Sequence, residues 1–386
     1  VGEGGHAFAE VKDSIKPGAD SVSSVVEPVR KTRNPLKWIG RYLSNTNKHE
    51  DGRFDFSMLI GPSYSAATSV GFGSYGLGLY SWDRSDPLLP KSNVSVYANA
   101  SLSGMLAVGF GEIIFYLIRD TVSIISCRFI LFRENFWGIG YENGASDANK
   151  SDYERVKLQF KPSFFVSPER IGLFWGPVVD VEWVNSFGFE NETLLEGQDK
   201  SVANYGAGFN FTYDTRDFVL NAYRGNFFRW EQMFYPSGFG NDYAFSYTDL
   251  TYSTYHQVWK GGVLAMELHT LFNYWDVPWD HDGPGRGVGR MRGYYEGRYR
   301  DRNIMEGSLE LRQHIKGRNG IAVWVGLANV FPNFGHIYYD EMLPNYGDRL
   351  SVGEFKEKGL KYVLIWALPK TARISPLISM RLFAKN

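Results

Sequence analysis

The chain has 386 residues, with 41 Lys and Arg set against 42 Asp and Glu, and one cysteine, Cys127. The even charge excludes a polyanion-binding surface, which needs a net excess of Lys and Arg, so no nucleic-acid partner is expected. A single cysteine excludes an internal disulfide or a Cys-rich metal framework. The strongest skew is towards 42 Gly and 16% aromatic residues, where average Gly usage is about 7%.

Taken in chain order, residues 1–52 form a first region. Segment 1–33 is polar and broken by Lys16-Pro17-Gly18, which reads as a tether. Asn34-Pro35 then offers an N-cap followed by proline at the first helical position, and Leu36, Ile39 and Leu43 share a face over 35–44. The flanking Arg30, Lys31, Arg33, Lys37 and Arg41 suit a short amphipathic helix on lipid headgroups, or equally a solvated helix on a linker. The chain opens without a basic start or an apolar signal core, so any export signal is expected to have been removed or never to have existed. No apolar run approaches the roughly 18–20 residues of a membrane-spanning helix.

From Arg53 the hydrophobic period becomes two. In 203–213, Ala203, Tyr205, Ala207, Phe209, Phe211 and Tyr213 face one way, while Asn204, Gly206, Gly208, Asn210 and Thr212 face the other. The same dyad recurs at 93–102, 156–165 and 305–314. Further strands are predicted at 53–61, 66–82, 105–118, 121–134, 169–186, 226–235, 243–258, 262–275, 319–330, 356–368 and 373–384, about fifteen in all. Most are long enough for the roughly 9–11 residues of a tilted membrane strand. Aromatics gather at strand ends (Tyr80 and Trp82, Phe136 and Trp137, Trp183 and Phe187, Tyr274 and Trp275), as in the two girdles of an outer-membrane barrel. Tight turns near 167–169, 260–261 and 316–319 alternate with long polar loops at 83–92, 135–152, 187–201, 276–300 and 331–355. The fold class read from this pattern is an all-β, transmembrane antiparallel β-barrel over 53–386, with a large soluble all-β domain as the competitor.

Loop 276–300 holds Arg286, Arg290, Arg292, Arg298 and Arg300 among many Gly and Tyr, and it leads into a strand whose polar face presents Glu306 and Glu310. Either the loop folds into the lumen and pairs guanidinium with carboxylate, or it is a solvated basic loop on the surface. The seven histidines show no nucleophile elbow and no metalloprotease motif. His269 and His314 read as lumenal hydrogen-bonding residues, and His281 between Asp280 and Asp282 reads as a solvated cluster rather than a metal site. No enzyme activity, catalytic residue, metal or cofactor is expected.

Met291-Arg292-Gly293-Tyr294, followed by GRYRDRN and the strand EGSLELR, resembles the loop motif and following strand of the BamA/TamA surface-antigen superfamily of outer-membrane assembly and translocation barrels. FTYDTRDFVLNAYRGNFF is similar to the family's strand–turn–strand signature, with Asp214, Arg216 and Asp217 before a turn that closes on Gly225. The two matches occur in the family's order. The resemblance implies about sixteen strands, a periplasmic place for the 1–52 tether, and an Arg292 that packs inside the lumen, with Glu310 as its first partner and Glu306 as the further acidic residue. Two departures stand out: Val323–Leu327 carries no further acidic partner, and the usual proline before Gly225 is absent. The family's periplasmic repeats do not fit in 52 residues, which implies a barrel-only member. A count of fifteen implies a final strand missing after Phe383.

The resemblance implies a place in the bacterial cell outer membrane. The implied function is insertion and assembly, or translocation, of outer-membrane proteins, within a larger complex. The implied partners are outer-membrane lipid, other outer-membrane assembly or secretion proteins, and client β-barrel proteins. The competing functions are a scaffolding subunit that has lost insertase activity and a passive pore for small solutes.

Overall fold

Side chains that alternate every two residues can bury only one face of a strand, and the face buried here is the polar one. On the strand Leu173–Phe187, Trp175, Val179, Val181, Trp183 and Phe187 are exposed, whereas Asp180 and Glu182 are each 1% exposed. On Ser201–Asp214, Tyr205, Phe209 and Tyr213 are exposed while Asn204 and Asn210 are buried. A soluble sandwich hides its apolar face; an apolar exterior around a polar interior is the arrangement of a β-barrel in lipid.

The computed structural model describes residues 54–65, 69–80, 92–102, 106–115, 121–166, 172–217, 221–279, 281, 290–316, 319–352, 362–369 and 375–378. The reading of 1–52 as a tether with a short helix therefore lies outside the described residues. The strands are β1 (Phe54–Ser65), β2 (Ser69–Tyr80), β3 (Ser92–Ser101), β4 (Leu106–Phe115), β5 (Thr121–Phe136), β6 (Ser151–Val166), β7 (Leu173–Phe187) and β8 (Ser201–Asp214). They continue with β9 (Gly225–Tyr235), β10 (Phe245–Trp259), β11 (Gly262–Trp275), β12 (Asn303–Lys316), β13 (Asn319–Phe331), β14 (Leu343–Val352), β15 (Tyr362–Pro369) and β16 (Ser375–Ile378). They form one sixteen-stranded sheet in strict sequence order, each strand antiparallel to the next. β16 approaches β1, but among the described residues no hydrogen-bonded ladder joins the two.

One predicted loop is corrected. The sequence pattern leaves 331–355 as a connection, yet β14 runs through it, in register with β13 from Ala328↔Leu343 to Gly320↔Ser351. Its sequence, LPNYGDRLSV, carries Pro, Asn, Gly and Asp, all depleted in strands. The pairing comes from two flanking strands rather than from local preference. The strand that completes an even count of sixteen is thus internal, and no strand beyond Phe383 is needed to reach it.

The interior is filled at the end that carries the long connections. The β5–β6 connection forms a short helix, α1 (Tyr141–Ala145). Trp279 packs against Phe136, Tyr153 and Phe189 with ring centroids 5.0–5.5 Å apart, and Leu195 completes this cluster. Tyr294 and Tyr299 join a second cluster with Tyr235, Phe245, Tyr247 and Met291. These rings come from strand ends and connections far apart in sequence, so they tie the loop end into a packed cap.

Candidate functional site

The described end of the β11–β12 connection, 290–302, turns back into the barrel. Met291 and Tyr294 are buried, Gly293 has φ +94°, and the Tyr294 hydroxyl donates to the Pro344 carbonyl at 2.8 Å. The left-handed φ at Gly293 suits the only residue type that adopts it freely. It reverses the chain between two side chains that both point inward. Between them in sequence sits Arg292.

Arg292 donates through Nη1 to Glu310 Oε2 at 2.5 Å, its guanidinium lies 4.4 Å from the centre of the Trp324 ring, and its carbonyl accepts from Asn345 Nδ2 at 2.8 Å. Trp324 stands directly opposite Glu310 in the β12–β13 register. The stretch Val323–Leu327, which lacks the acidic partner implied by the resemblance, supplies a π-face instead, and a flat guanidinium stacks well on indole. Glu310 also accepts from Arg312 Nε at 2.6 Å and Arg349 Nη2 at 3.0 Å. Three arginines from a loop and two strands therefore converge on one buried carboxylate.

Glu306, the other expected acidic partner, does not reach Arg292. Its Oε1 accepts from the backbone N–H of Arg290 at 3.1 Å and its Oε2 lies 2.9 Å from His269 Nδ1. His269 in turn has Nε2 3.4 Å from Asp249, which takes Arg229 Nη2 at 2.7 Å. Glu306 thus holds the loop by its main chain, and Glu310 holds it by its side chain. Arg290 adds a tie of its own to Glu267 at 3.0 Å.

The turn motif forms a separate unit at the other end of the barrel. Arg216 grips Asp214 through Nε at 2.8 Å and Nη2 at 2.5 Å and covers the Phe227 ring at 4.4 Å. Asp217 Oδ1 accepts from the N–H groups of Tyr223 and Arg224 at 2.9 and 3.2 Å. Gly225 has φ +105°, and a Cβ there would lie 2.3 Å from the Thr215 carbonyl oxygen, so the turn needs glycine whether or not proline precedes it. Tyr255 on β10 lies between this unit and the Arg292 site: its phenol is an electrostatic neighbour of Arg216, and the Arg312 guanidinium lies 5.5 Å from its ring centre. The chain of contacts runs Asp214, Arg216, Tyr255, Arg312, Glu310, Arg292.

Sequence reasoning named both ends of that chain and missed its middle. Tyr255, Trp324, Arg349 and Asn345 meet the motif only through cross-strand register, although the inward parity of each was readable. His281 is also placed differently from the expectation of a solvated cluster. Its side chain is buried, its ring centroid lies 4.6–5.5 Å from those of Phe245, Tyr235 and Tyr247, and its Nδ1 is 3.5 Å from Glu182. Asp280 and Asp282 lie outside the described residues.

The loop root is held by its own cations. Arg298 donates to the Gly144 carbonyl at 2.8 Å and to Asp147 at 2.7 Å, and Arg300 caps the Gly297 carbonyl at 2.8 Å. Tyr295 receives two hydrogen bonds from Asn135, at 3.2 and 3.3 Å. Burial, with the nearby Glu134 carboxylate adding to it, pushes its phenol up to about 12.

The Omp85 superfamily domain model matches residues 125–351, more than half of the chain. The chain belongs to the Omp85 superfamily. Among solved structures, BamA from Haemophilus ducreyi lacking POTRA domains 1–3 is similar at 12% identity and TM-score 0.60, covering 90% of this chain and 77% of that one. CdiB from Escherichia coli is similar at 12% identity and TM-score 0.53, covering 88% and 68%. CdiB from Acinetobacter baumannii reaches TM-score 0.51 at 12% identity, covering 85% and 58%. A search of the curated proteins finds no match. This Omp85 chain is a bacterial outer-membrane β-barrel of a family that serves outer-membrane protein assembly or secretion.

Proposed function

We propose that this Omp85 protein is a non-enzymatic assembly factor that promotes insertion of client β-barrels at its own wall, as a member of a larger outer-membrane complex. The observation that carries the reading is the β1–β16 seam. Among the described residues, β16 pairs with β15 from Leu364↔Ile378 to Ala367↔Ser375, and no ladder joins it to β1. Unpaired backbone groups are costly in lipid and are a template for strand addition. A client strand would satisfy them.

The filled interior favours this over a passive pore. Residues 290–302 turn into the lumen, and the cap packs Trp279 and its neighbours over the loop end. A cavity of about 80 Å³ lies beside Arg290, Arg292, Glu310 and Tyr255, room for a few waters. In this reading the Arg292–Glu310 contact keeps the loop seated and the wall in a shape that can open at one place.

Reconstitution into liposomes tests the proposal. The purified protein should speed folding of an unfolded client barrel severalfold over protein-free vesicles, with little ion conductance. Conductance without client folding would replace the reading with that of a pore. Absence of both, with stable co-purification of other assembly factors from native membranes, would replace it with a scaffold.

A further inference from the structure

The outward row of β13 runs Ile321, Val323, Val325 and Leu327, all exposed to the surroundings of the barrel. The next two members of the same row are Asn329 and Phe331, and they are 3% and 0% exposed. By the two-residue period they face lipid, so something on the outside covers them. The cover is the β13–β14 connection, 332–342.

Phe334 sits in a short 3-10 turn, Phe334–His336, whose N-cap Asn333 accepts from the Gly335 N–H at 3.1 Å. Its ring centroid lies 5.7 Å from that of Phe331 and 5.2 Å from that of Phe272, which shares the outward row of β11 with Leu268 and Tyr274. Asn329 Nδ2 donates to the Tyr338 carbonyl at 3.4 Å. Further along, the Asp340 carbonyl accepts from the Tyr141 hydroxyl of α1 at 3.4 Å. The connection therefore folds outward over the wall, held at one end by the wall and at the other by the cap.

What it presents in place of the wall is aromatic and apolar. Phe334 is 65% and Tyr339 93% exposed, and Ile337 and Tyr338 are exposed beside them. Tyr274 and Trp275 are exposed at the end of β11, next along from Phe272, and Trp275 has φ +66°, a region that residues with a Cβ seldom adopt.

We propose that 332–342 is a membrane-interface anchor, a loop whose aromatic face lies in lipid at the boundary between headgroups and acyl chains, extending the girdle of Tyr274 and Trp275. The occupant is lipid because the surface continues the outward row of β13, which lipid covers in a membrane-embedded barrel. Its chemistry agrees: Tyr and Trp rings are apolar in body and polar at one tip, which suits a boundary with hydrocarbon on one side and water on the other. The proposal goes beyond the function argued above and stands whether or not the seam admits a client.

Site-directed spin labelling tests it. In a Cys127→Ser background, Phe334→Cys is labelled with a nitroxide in phosphatidylcholine nanodiscs, with Ser237→Cys on the β9–β10 connection as the aqueous control. The Phe334 label should collide more often with oxygen than with a water-soluble nickel chelate, and the Ser237 label should show the reverse. A Phe334 label that matches the Ser237 label overturns the proposal. So does a label open to both reagents in nanodiscs but shielded from both in native outer membranes, which would place a protein on this face. Heat-modified gel mobility checks folding, and Ile337→Cys gives the same reading if Phe334→Cys fails to fold.

Discussion

Glu310 carries three guanidiniums on two oxygens, and that redistributes the cost of breaking the site. Removing Arg292 leaves the carboxylate with Arg312 and Arg349, and the Arg292 side chain is itself about one-third exposed. Arg292→Ala should therefore lower stability by only about 1–2 kcal/mol, plus the lost stacking on Trp324. Glu310→Ala leaves three like charges together and should cost about 3–5 kcal/mol. Thermal shifts of heat-modified gel mobility would rank the two; an Arg292→Ala variant less stable than Glu310→Ala would mean that the loop, not the carboxylate, is the centre of the network. Tyr255→Phe keeps the ring under Arg312 and deletes the hydroxyl beside Arg216, with an expected loss of about 1 kcal/mol, read by the same melt.

The composition of each element explains which ones could be recognised in isolation. β8 announces itself by clean alternation, and its facing predicts that Phe209→Arg places a charge in lipid at a cost of about 2–4 kcal/mol at mid-membrane. Phe209→Leu should be nearly silent in the same refolding titration, and equal losses would mean that the row faces inward. β14 is the opposite case. Pro344, Asn345, Gly347 and Asp348 give it no strand signal, yet Asn345 and Arg349 come from it, so the part of the site that sequence left out is the part that rests on this strand. The 276–302 connection has a titration of its own. Because the folded Tyr295 phenol is pushed up to about 12, above the usual value near 10, the fold favours the neutral form. Its contribution is whole below about pH 10 and is lost as pH rises towards 12. Hydrogen exchange of the cap amides should rise over that window, and Tyr295→Phe should remove the step.

At the scale of the whole molecule, aromatic packing fills the loop end among the described residues. Trp279 joins Phe136, Tyr153 and Phe189 and donates its indole N–H to the Asp199 carbonyl at 3.0 Å. Trp279→Ala should loosen the cap by roughly 3–5 kcal/mol and raise single-channel conductance in planar bilayers well above that of the parent protein. A variant as silent as the parent would place the barrier deeper, at the Arg292 loop itself. The two polarities of this barrel, inside and out, also account for the skew in composition. Aromatic rings cover the lipid face and fill the cap, and glycine closes turns such as that at Gly225.

The sequence by itself determined the membrane-facing and lumen-facing rows, because alternation over two residues is a local property and a polar row beside an apolar one has only one arrangement in lipid. It also determined that Arg292 lies in a special loop and that Gly225 closes a turn, because both are written in short contiguous motifs. Only the tertiary structure decided that Glu310 and not Glu306 receives Arg292, that Trp324 stands where an acid was expected, and that Tyr255 joins the two motifs. It also decided that 290–302 turns into the barrel while 332–342 folds outside it. Each of these depends on register between strands or on the path of a long connection, and both are set by pairings between residues far apart in the chain.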